Sequence, residues 1–212
     1  MLLYLIRHGK SRANENQLVT GTMDDVLVET GVFQVRALGG WIKTAGISGT
    51  RYICSPWMRA RQTAEILWPS VRWEIDPRLG ETVAGDVANF PLKKFLDKEP
   101  YFYKNNGNKY PGGESHHDLN ERVSDWLKKL VRESVEGDKV VLVAHSGPIS
   151  CILQHIVGID MEKFPTFLPA HASLSIVEYP AQDSLPRLLA FSICPADIMP
   201  DAYIGRSLEK ND

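Results

Sequence analysis

Two stretches of the chain are apolar without interruption and only as long as a strand. Leu2 to Ile6 is one, and Val140 to Ala144 is the other. Such short unbroken runs predict strands covered on both faces, as in a parallel sheet layered between helices. Each run gives way at once to an imidazole and a glycine, in Arg7-His8-Gly9 and in His145-Ser146-Gly147. Elsewhere the period changes. From Thr30 to about Gly46, Val32, Val35, Leu38, Trp41 and Ile42 mark one face of a helix. Leu119, Val123, Trp126, Leu127, Leu130 and Val131 do the same for a long helix opened by the turn Pro111 to Ser115. Arg51 to Cys54 reads as a strand that delivers Ser55-Pro56, a capping hydroxyl followed by proline, and so predicts a helix from Trp57 to about Leu67. Val71 to Ile75 alternates like a strand. Ile149 to Val157 predicts a helix closed by Gly158.

Near the start, Ser11 is placed to cap a brief helix, and Gln17 to Thr22 reads as a loop. Ser173 to Tyr179 and Arg187 to Ile193 read as two further strands joined by a proline-containing turn, and the tail after Pro195 is expected to lie along the surface or fray. Residues 86–113 follow no period. Their aromatic run at Tyr101, Phe102 and Tyr103 is compatible with a lid or wall over a pocket, and equally with a packed excursion that has no ligand role. The whole chain is read as one domain, 1–212, with this excursion inserted.

Composition narrows the function more by exclusion than by pointing. With 43% hydrophobic and 24% charged residues over 212 positions, the chain is an ordinary globular one. A formal net charge of −2 gives no electrostatic case for nucleic acid or an anionic membrane, so an anionic ligand would have to be caught by a few placed cations. Cys54, Cys151 and Cys194 are odd in number and widely spaced, which predicts neither a disulfide framework nor a zinc site. A cytoplasmic location is the simplest expectation, because the apolar run at the N-terminus has neither the cationic flank of a signal peptide nor the length of a membrane span. A homodimer is compatible with the sequence, but no stretch demands one.

In an open parallel sheet the strand tips share one edge, so His8 and His145 are expected in one pocket. Arg7 adds a cation there, and Arg59 another at a strand-to-helix junction near a helix N-terminus. Arginine forks pair bidentately with phosphate oxygens, and a neutral imidazole is a competent nucleophile toward phosphorus. These residues therefore point to a phosphate pocket. Other titratable residues carry duller readings. His116 and His117 are expected at the surface or the pocket rim, His155 as a core histidine inside an apolar helix, and Ser55 as a helix cap. For His171, a place at the pocket border is the lesser reading.

Taken in order, the pieces resemble the histidine phosphatase superfamily, the phosphoglycerate-mutase-like enzymes. They are Arg7-His8-Gly9 with Asn14, Thr20-Gly21, the stretch Ser55 to Ala64, Leu79 with Glu81 and Gly85, Pro111 to Ser115, and His145-Ser146-Gly147, so the likeness runs from Leu2 to at least Tyr179. The resemblance implies a three-layer α/β/α fold with a mainly parallel sheet. It also implies that His8 attacks phosphorus and carries a transient phosphohistidine, while Arg7, Arg59 and His145 hold the phosphoryl oxygens. Glu81 would protonate the leaving group and then activate water. Asn14, Ser146 and the backbone near Thr20-Gly21 would add donors. Neither metal nor cofactor is implied, and the partner would be a small phosphorylated substrate.

The chain departs from the family pattern in places. Lys10 stands where many relatives have Glu or Gln and adds a cation that favours a more acidic substrate. Ser146 replaces a common glycine. The stretch Thr82 to Val87 lacks both the Trp-Glu-Gly continuation of many small phosphatases and the Arg-His-Tyr-Gly continuation of true mutases, which argues against glycolytic mutase activity. Two alternatives remain, a phosphomutase and a catalytically silent phosphate-binding protein. The intact set His8, Arg7, Arg59, Glu81 and His145 speaks against the silent one. A cysteine-dependent phosphatase is excluded by spacing, because four residues separate Cys54 from Arg59 where that chemistry needs five.

Overall fold

A computed structural model describes residues 1–180 and 185–195. Its centre is a six-stranded sheet of β1 (Leu2–Arg7), β2 (Arg51–Cys54), β3 (Glu74–Ile75), β4 (Lys139–Ala144), β5 (Leu174–Glu178) and β6 (Arg187–Ile193), in the order β3-β2-β4-β1-β5-β6. The four strands from β3 to β1 are mutually parallel, and β5 runs against both β1 and β6. The helices are α1 (Arg12–Glu15), α2 (Glu29–Thr44), α3 (Met58–Leu67), α4 (Leu92–Lys98), α5 (His116–Glu133) and α6 (Ser146–Val157). Alternate residues of β1 and β4 feed two separate cores. Leu3, Leu5, Val140 and Leu142 pack with α5 and α6, whereas Tyr4, Ile6, Val141 and Val143 pack with α2 and α3. The expected three-layer α/β/α arrangement is therefore the observed one. Among the described residues no helix is long and apolar enough to cross a membrane.

Several elements differ from expectation for local reasons. Val71 to Trp73 stay outside the sheet, and β3 is only two exposed residues at its edge. α6 begins at Ser146, three positions earlier than expected, because His145 itself takes the extended N-cap conformation. Val131 lies on the exposed side of α5. His155 is exposed, not in the core, since it lies in the last turn of α6, where Val157 is exposed as well. The proline-containing turn falls partly, and the tail after Pro195 wholly, outside the described residues.

Residues 86–113 have a small core of their own, Phe95, Phe102 and Tyr110 with Val19 and Ala84. The segment is tied down on two sides. Phe90 and Asn89 bond to the backbone of Val19, while the Asn106 carboxamide donates to the Met161 carbonyl at 2.6 Å. It is a fixed wall.

The loop after β1 meets α2 at a point where no side chain fits. A Cβ on Gly31 would overlap the backbone of Lys10, and one on Gly9 would press on the Gly31 carbonyl. Gly31→Ala is therefore expected to lower stability by about 1–3 kcal/mol, the usual cost of overpacking a rigid contact, measured by urea unfolding. A surface substitution such as Gly40→Ala, where a Cβ meets nothing within 4 Å, serves as the control.

Candidate active site

Strand register brings the site together. Arg7 pairs with Ala144 and Cys54 with Val143, so the His8 amide donates to the Ala144 carbonyl at 3.1 Å and the Ser55 amide to the Val143 carbonyl at 3.0 Å. His8, Ser55 and His145 thus emerge side by side from three adjacent parallel strands. The imidazoles of His8 and His145 have centroids 5.0 Å apart. Because β5 is antiparallel, its beginning lies at this edge, and it delivers His171 with its ring 5.9 Å from that of His8.

His8 is 2% exposed. Its Nδ1 lies 2.7 Å from the Gly9 carbonyl, which can only accept, and its Nε2 lies 3.0 Å from the Nε–H of Arg59, which can only donate. Only the tautomer protonated on Nδ1 satisfies both. Burial, then the charges of Arg59, His145, Arg7 and His171, push the His8 pKa well below its ordinary value. The result is a neutral imidazole with its Nε2 lone pair held next to a guanidinium.

Arg59, likewise 2% exposed, has most of its donors fixed by protein acceptors. Its Nη1 donates to the Thr22 carbonyl at 3.2 Å and to Asp25 Oδ2 at 3.3 Å, and its Nη2 to the Thr20 carbonyl at 3.2 Å. The guanidinium also lies 4.6 Å from the centre of the Trp57 ring. The Thr20-Gly21 turn therefore contributes an acceptor for Arg59. The Gly21 amide turns back to the Val19 carbonyl. Helical spacing explains the rest of the α3 sequence. At positions 59, 62 and 63 on one face, Arg59 enters the site, Gln62 accepts from the Leu27 amide, and Thr63 accepts from the Gly9 amide. Arg61 is exposed.

Ser55 is not the cap of α3. Pro56 holds the chain extended for one more residue, and Trp57 becomes the N-cap without a side-chain bond. The Ser55 hydroxyl instead accepts from the Trp57 amide at 3.3 Å and lies 2.7 Å from His145 Nε2. His145 is fully buried, and its Nδ1 has no hydrogen-bond partner among the described residues. Burial, followed by Arg59, Arg7 and Arg122, holds its pKa well below the ordinary value. If Ser55 donates to Nε2, the ring proton sits on Nδ1, as a neutral donor for an oxyanion.

Arg7 donates to the Pro169 carbonyl at 2.6 Å, and its Nη2 lies 2.9 Å from His171 Nε2. Glu81 lies against the start of α6. Its Oε2 accepts from the Gly147 amide at 3.1 Å and its Oε1 from the Thr82 amide at 2.9 Å. A Cβ on Gly147 would overlap this carboxylate, so the glycine makes room for it. Asn14 is bonded through its side-chain oxygen to Ser11 in the capping box of α1, which leaves its carboxamide nitrogen as the group to offer a ligand. Lys10 stands half-buried and pairs with Glu15 at 3.5 Å. Ser146 is the first residue of α6.

Asp25 and the pair Arg122 with Glu114 escaped the sequence reading, because they act through contacts between distant segments that no local spacing announces. His171, for which the pocket border was the lesser reading, lies beside His8 and Arg7. His116, expected at the surface or rim, stacks on Tyr103 with centroids 5.8 Å apart, packs on Phe164, and is close enough to Glu81 for that charge to raise its pKa against the larger lowering by burial. A cavity of about 600 Å³ lined by Phe90, Phe95, Lys98 and Tyr101 belongs to the 86–113 segment and includes none of the site histidines or arginines. Cys54 is buried, with its thiol pushed up to about 12 by burial, far from a nucleophile's state. Among the described residues no group of three or more His, Cys, Asp or Glu side chains is arranged to hold a metal.

Two outcomes are expected. His8 and His145 have depressed pKa values when folded, so between the ordinary histidine value near 6.5 and their folded values the unfolded chain binds more protons. Stability should then fall as pH drops below about 6.5, by about 1.4 kcal/mol per pH unit for each such histidine. Urea unfolding between pH 5 and 8 checks it, and a flat profile would contradict the neutral assignment. Asp25→Ala strands a buried guanidinium and should cost about 3–5 kcal/mol of unfolding free energy.

Comparison with known proteins agrees with this geometry. "Probable phosphoglycerate mutase GpmB" of Yersinia pestis is 29% identical over 184 residues, covering 84% of each chain. The alpha-ribazole phosphatase of Shigella flexneri superposes with a TM-score of 0.81 at 21% identity, over 91% of this chain and 96% of that one. A mycobacterial glucosyl-3-phosphoglycerate phosphatase, solved with VO3, gives a TM-score of 0.78 at 24% identity, over 90% and 98%. These two likenesses establish the fold. The sequence profile of the family itself matches residues 3–191, from the first core strand through most of the last, and the chain therefore belongs to the histidine phosphatase superfamily, branch 1.

Proposed function

We propose that the protein is a phosphatase that hydrolyses a small phosphomonoester through a phosphohistidine on His8, without a metal. The observation that carries this reading is the fixed tautomer of His8. An imidazole held neutral, with its Nδ1 proton on the Gly9 carbonyl, presents Nε2 as a nucleophile.

In the first step the Nε2 lone pair forms a bond to phosphorus as the bond to the leaving oxygen breaks. Phosphorylation uses the lone pair that Arg59 Nε–H now faces, so that donor is released toward a phosphoryl oxygen. The imidazole becomes cationic, and the Gly9 carbonyl stabilises it through Nδ1–H. Arg7, Arg59 and the Nδ1–H of His145 share the charge on the equatorial oxygens. The phosphomonoester, entering as its monoanion, brings the proton, and the Glu81 carboxylate passes it to the leaving oxygen. In the second step water attacks phosphorus, Glu81 takes the water's proton, the P–N bond breaks, and phosphate and neutral His8 are restored.

The aromatic side chains beside Glu81 support one substrate class. Tyr103 stacked on His116, with Phe164 behind, suits a leaving group with a ring-shaped face, such as a sugar or nucleoside. Structural relatives act on substrates that, by their names, carry sugars: alpha-ribazole phosphate in one and glucosyl-3-phosphoglycerate in another. Lys10 at the edge adds a cation suited to a second negative charge on the substrate. All three cysteines are unpaired, in keeping with a reducing compartment such as the cytoplasm.

The parent protein is expected to release phosphate from p-nitrophenyl phosphate in excess EDTA and to yield an acid-labile, base-stable phosphoenzyme. His8→Ala should lose at least about 10³-fold in kcat and trap no phosphate. Loss of activity with EDTA would overturn the metal-free route. Transfer of phosphate between hydroxyls of a diol acceptor, without release, would replace the phosphatase by a phosphomutase.

A further inference from the structure

Glu81 has to meet a leaving oxygen at a distance set to within a fraction of an ångström, yet it sits in a stretch with no regular secondary structure. Residues 80–84 belong to no helix and no strand. No ladder of backbone hydrogen bonds fixes their path. One side chain stands in for that ladder.

Arg122 projects from α5, and its hydrogen bonds call on all five of its N–H groups. Nε donates to Glu114 Oε1 at 2.9 Å and Nη2 to Glu114 Oε2 at 2.9 Å, a bidentate fork. Nη1 reaches the carbonyls of Arg78 at 2.6 Å and Gly80 at 2.9 Å, while Nη2 also reaches that of Glu81 at 2.9 Å. Glu114 holds the other side of the same stretch. Its Oε2 accepts from the Val83 amide at 3.0 Å, and its own amide donates to the Val83 carbonyl at 2.8 Å. Glu81 is thus bracketed between carbonyls tied to Arg122 and a residue tied to Glu114. The base of the clamp is rigid, because Leu119, Val123 and Trp126 of α5 are buried in the core shared with α6. α6 in turn carries His145 as its cap and the Gly147 amide that meets the Glu81 carboxylate.

We propose that Arg122 and Glu114 are positioning residues for the proton transfers of Glu81, locking the acid to the same helical layer that places His145. The proposal rests on the phosphatase reading given above. A lysine at 122 keeps the charge but is a single point with three donors, and it cannot span a carboxylate and three carbonyls at once. Arg122→Lys should therefore leave the pocket charged and leave Glu81 misplaced.

The test uses the sensitivity of the reaction to its leaving group. A p-nitrophenolate needs no proton as it departs, whereas a phenolate or p-methoxyphenolate needs one. For Arg122→Lys, kcat/KM should fall by about 10- to 100-fold on phenyl and p-methoxyphenyl phosphate, a share of the usual worth of general acid catalysis. On p-nitrophenyl phosphate the same variant should lose less than about threefold. The ratio between substrates is independent of how much protein is folded, so partial misfolding cannot imitate the effect. Glu114→Gln, which keeps the shape of the fork's acceptor and removes its charge, should show the same selectivity at smaller size and decides the matter if the lysine variant does not fold. Glu81→Gln is the reference. Selectivity in Glu81→Gln together with equal losses on all substrates in the clamp variants would overturn the proposal and leave Arg122 a structural residue. No selectivity in Glu81→Gln would instead remove the acid role from Glu81, and the proposal with it.

Discussion

A buried arginine must find an acceptor for its N–H bonds, and at Arg59 one of those acceptors is the nitrogen that the chemistry needs. This single contact, Nε–H to His8 Nε2 at 3.0 Å, constrains much of the structure around it. It requires His8 to be neutral, since a protonated imidazole has no lone pair to offer. It requires the remaining guanidinium donors to be satisfied elsewhere, which brings in Thr20, Thr22 and Asp25 from the loop between β1 and α2. That loop returns over the site with left-handed residues at Thr20 and Gly21, because a straighter path would carry the Thr20 carbonyl away from Arg59. Under the proposed reaction the pair would also ready the nucleophile before a ligand arrives. A cation beside an imidazole depresses its affinity for protons while leaving its affinity for phosphorus usable, and the guanidinium is already in place for the charge that arrives.

The same economy holds on the other side of the pocket. His145 is kept neutral by burial and by arginines, and its hydroxyl neighbour is Ser55 from the next strand. Glu81 rests on amides from Gly147 and Thr82. Each chemical group is therefore held by backbone or by a partner that is itself buried, and the charges in the site are opposed at short range. Asp25 and Glu81 both act on Arg59 in this way, pulling its pKa upward against the larger effect of burial. Under the proposed reaction such an arrangement would meet an incoming phosphate with donors already placed, which is the condition for large electrostatic effects in catalysis.

Residues 86–113 belong to the same design at longer range. Their small core and their ties to Val19 and Met161 make them a wall, and their aromatic face continues through Tyr103 and His116 toward Glu81. Under the proposed reaction a wall of this kind would select by shape, whereas the histidines and arginines would select only for phosphate. The chemistry and the specificity would then be carried by different parts of the chain, the first by strand tips and the second by an insertion.

That division also separates what could be read in advance from what could not. The unbroken apolar runs of β1 and β4 determined that these strands are buried on both faces, and so that His8 and His145 leave a common edge; the period of α2 and α5 determined the outer layers; the order of short motifs determined the family. Local rules worked there because burial and helical periodicity are written in neighbouring residues. Ser55 was misread because a serine before proline looks the same whether its hydroxyl caps a helix or serves a histidine on the adjacent strand. Asp25 and the Arg122–Glu114 fork could not be read at all, and His171 only as the lesser of two readings. His171 reaches the site only because β5 runs antiparallel, and Arg122 matters only because α5 lies beside a stretch some 40 positions earlier, at Arg78 to Glu81. The sequence by itself determined the fold class, the family and the common sheet edge of His8 and His145. The tertiary structure alone decided their tautomers, their partners and their exact spacing, because those depend on contacts between segments whose separation along the chain carries no periodic signal.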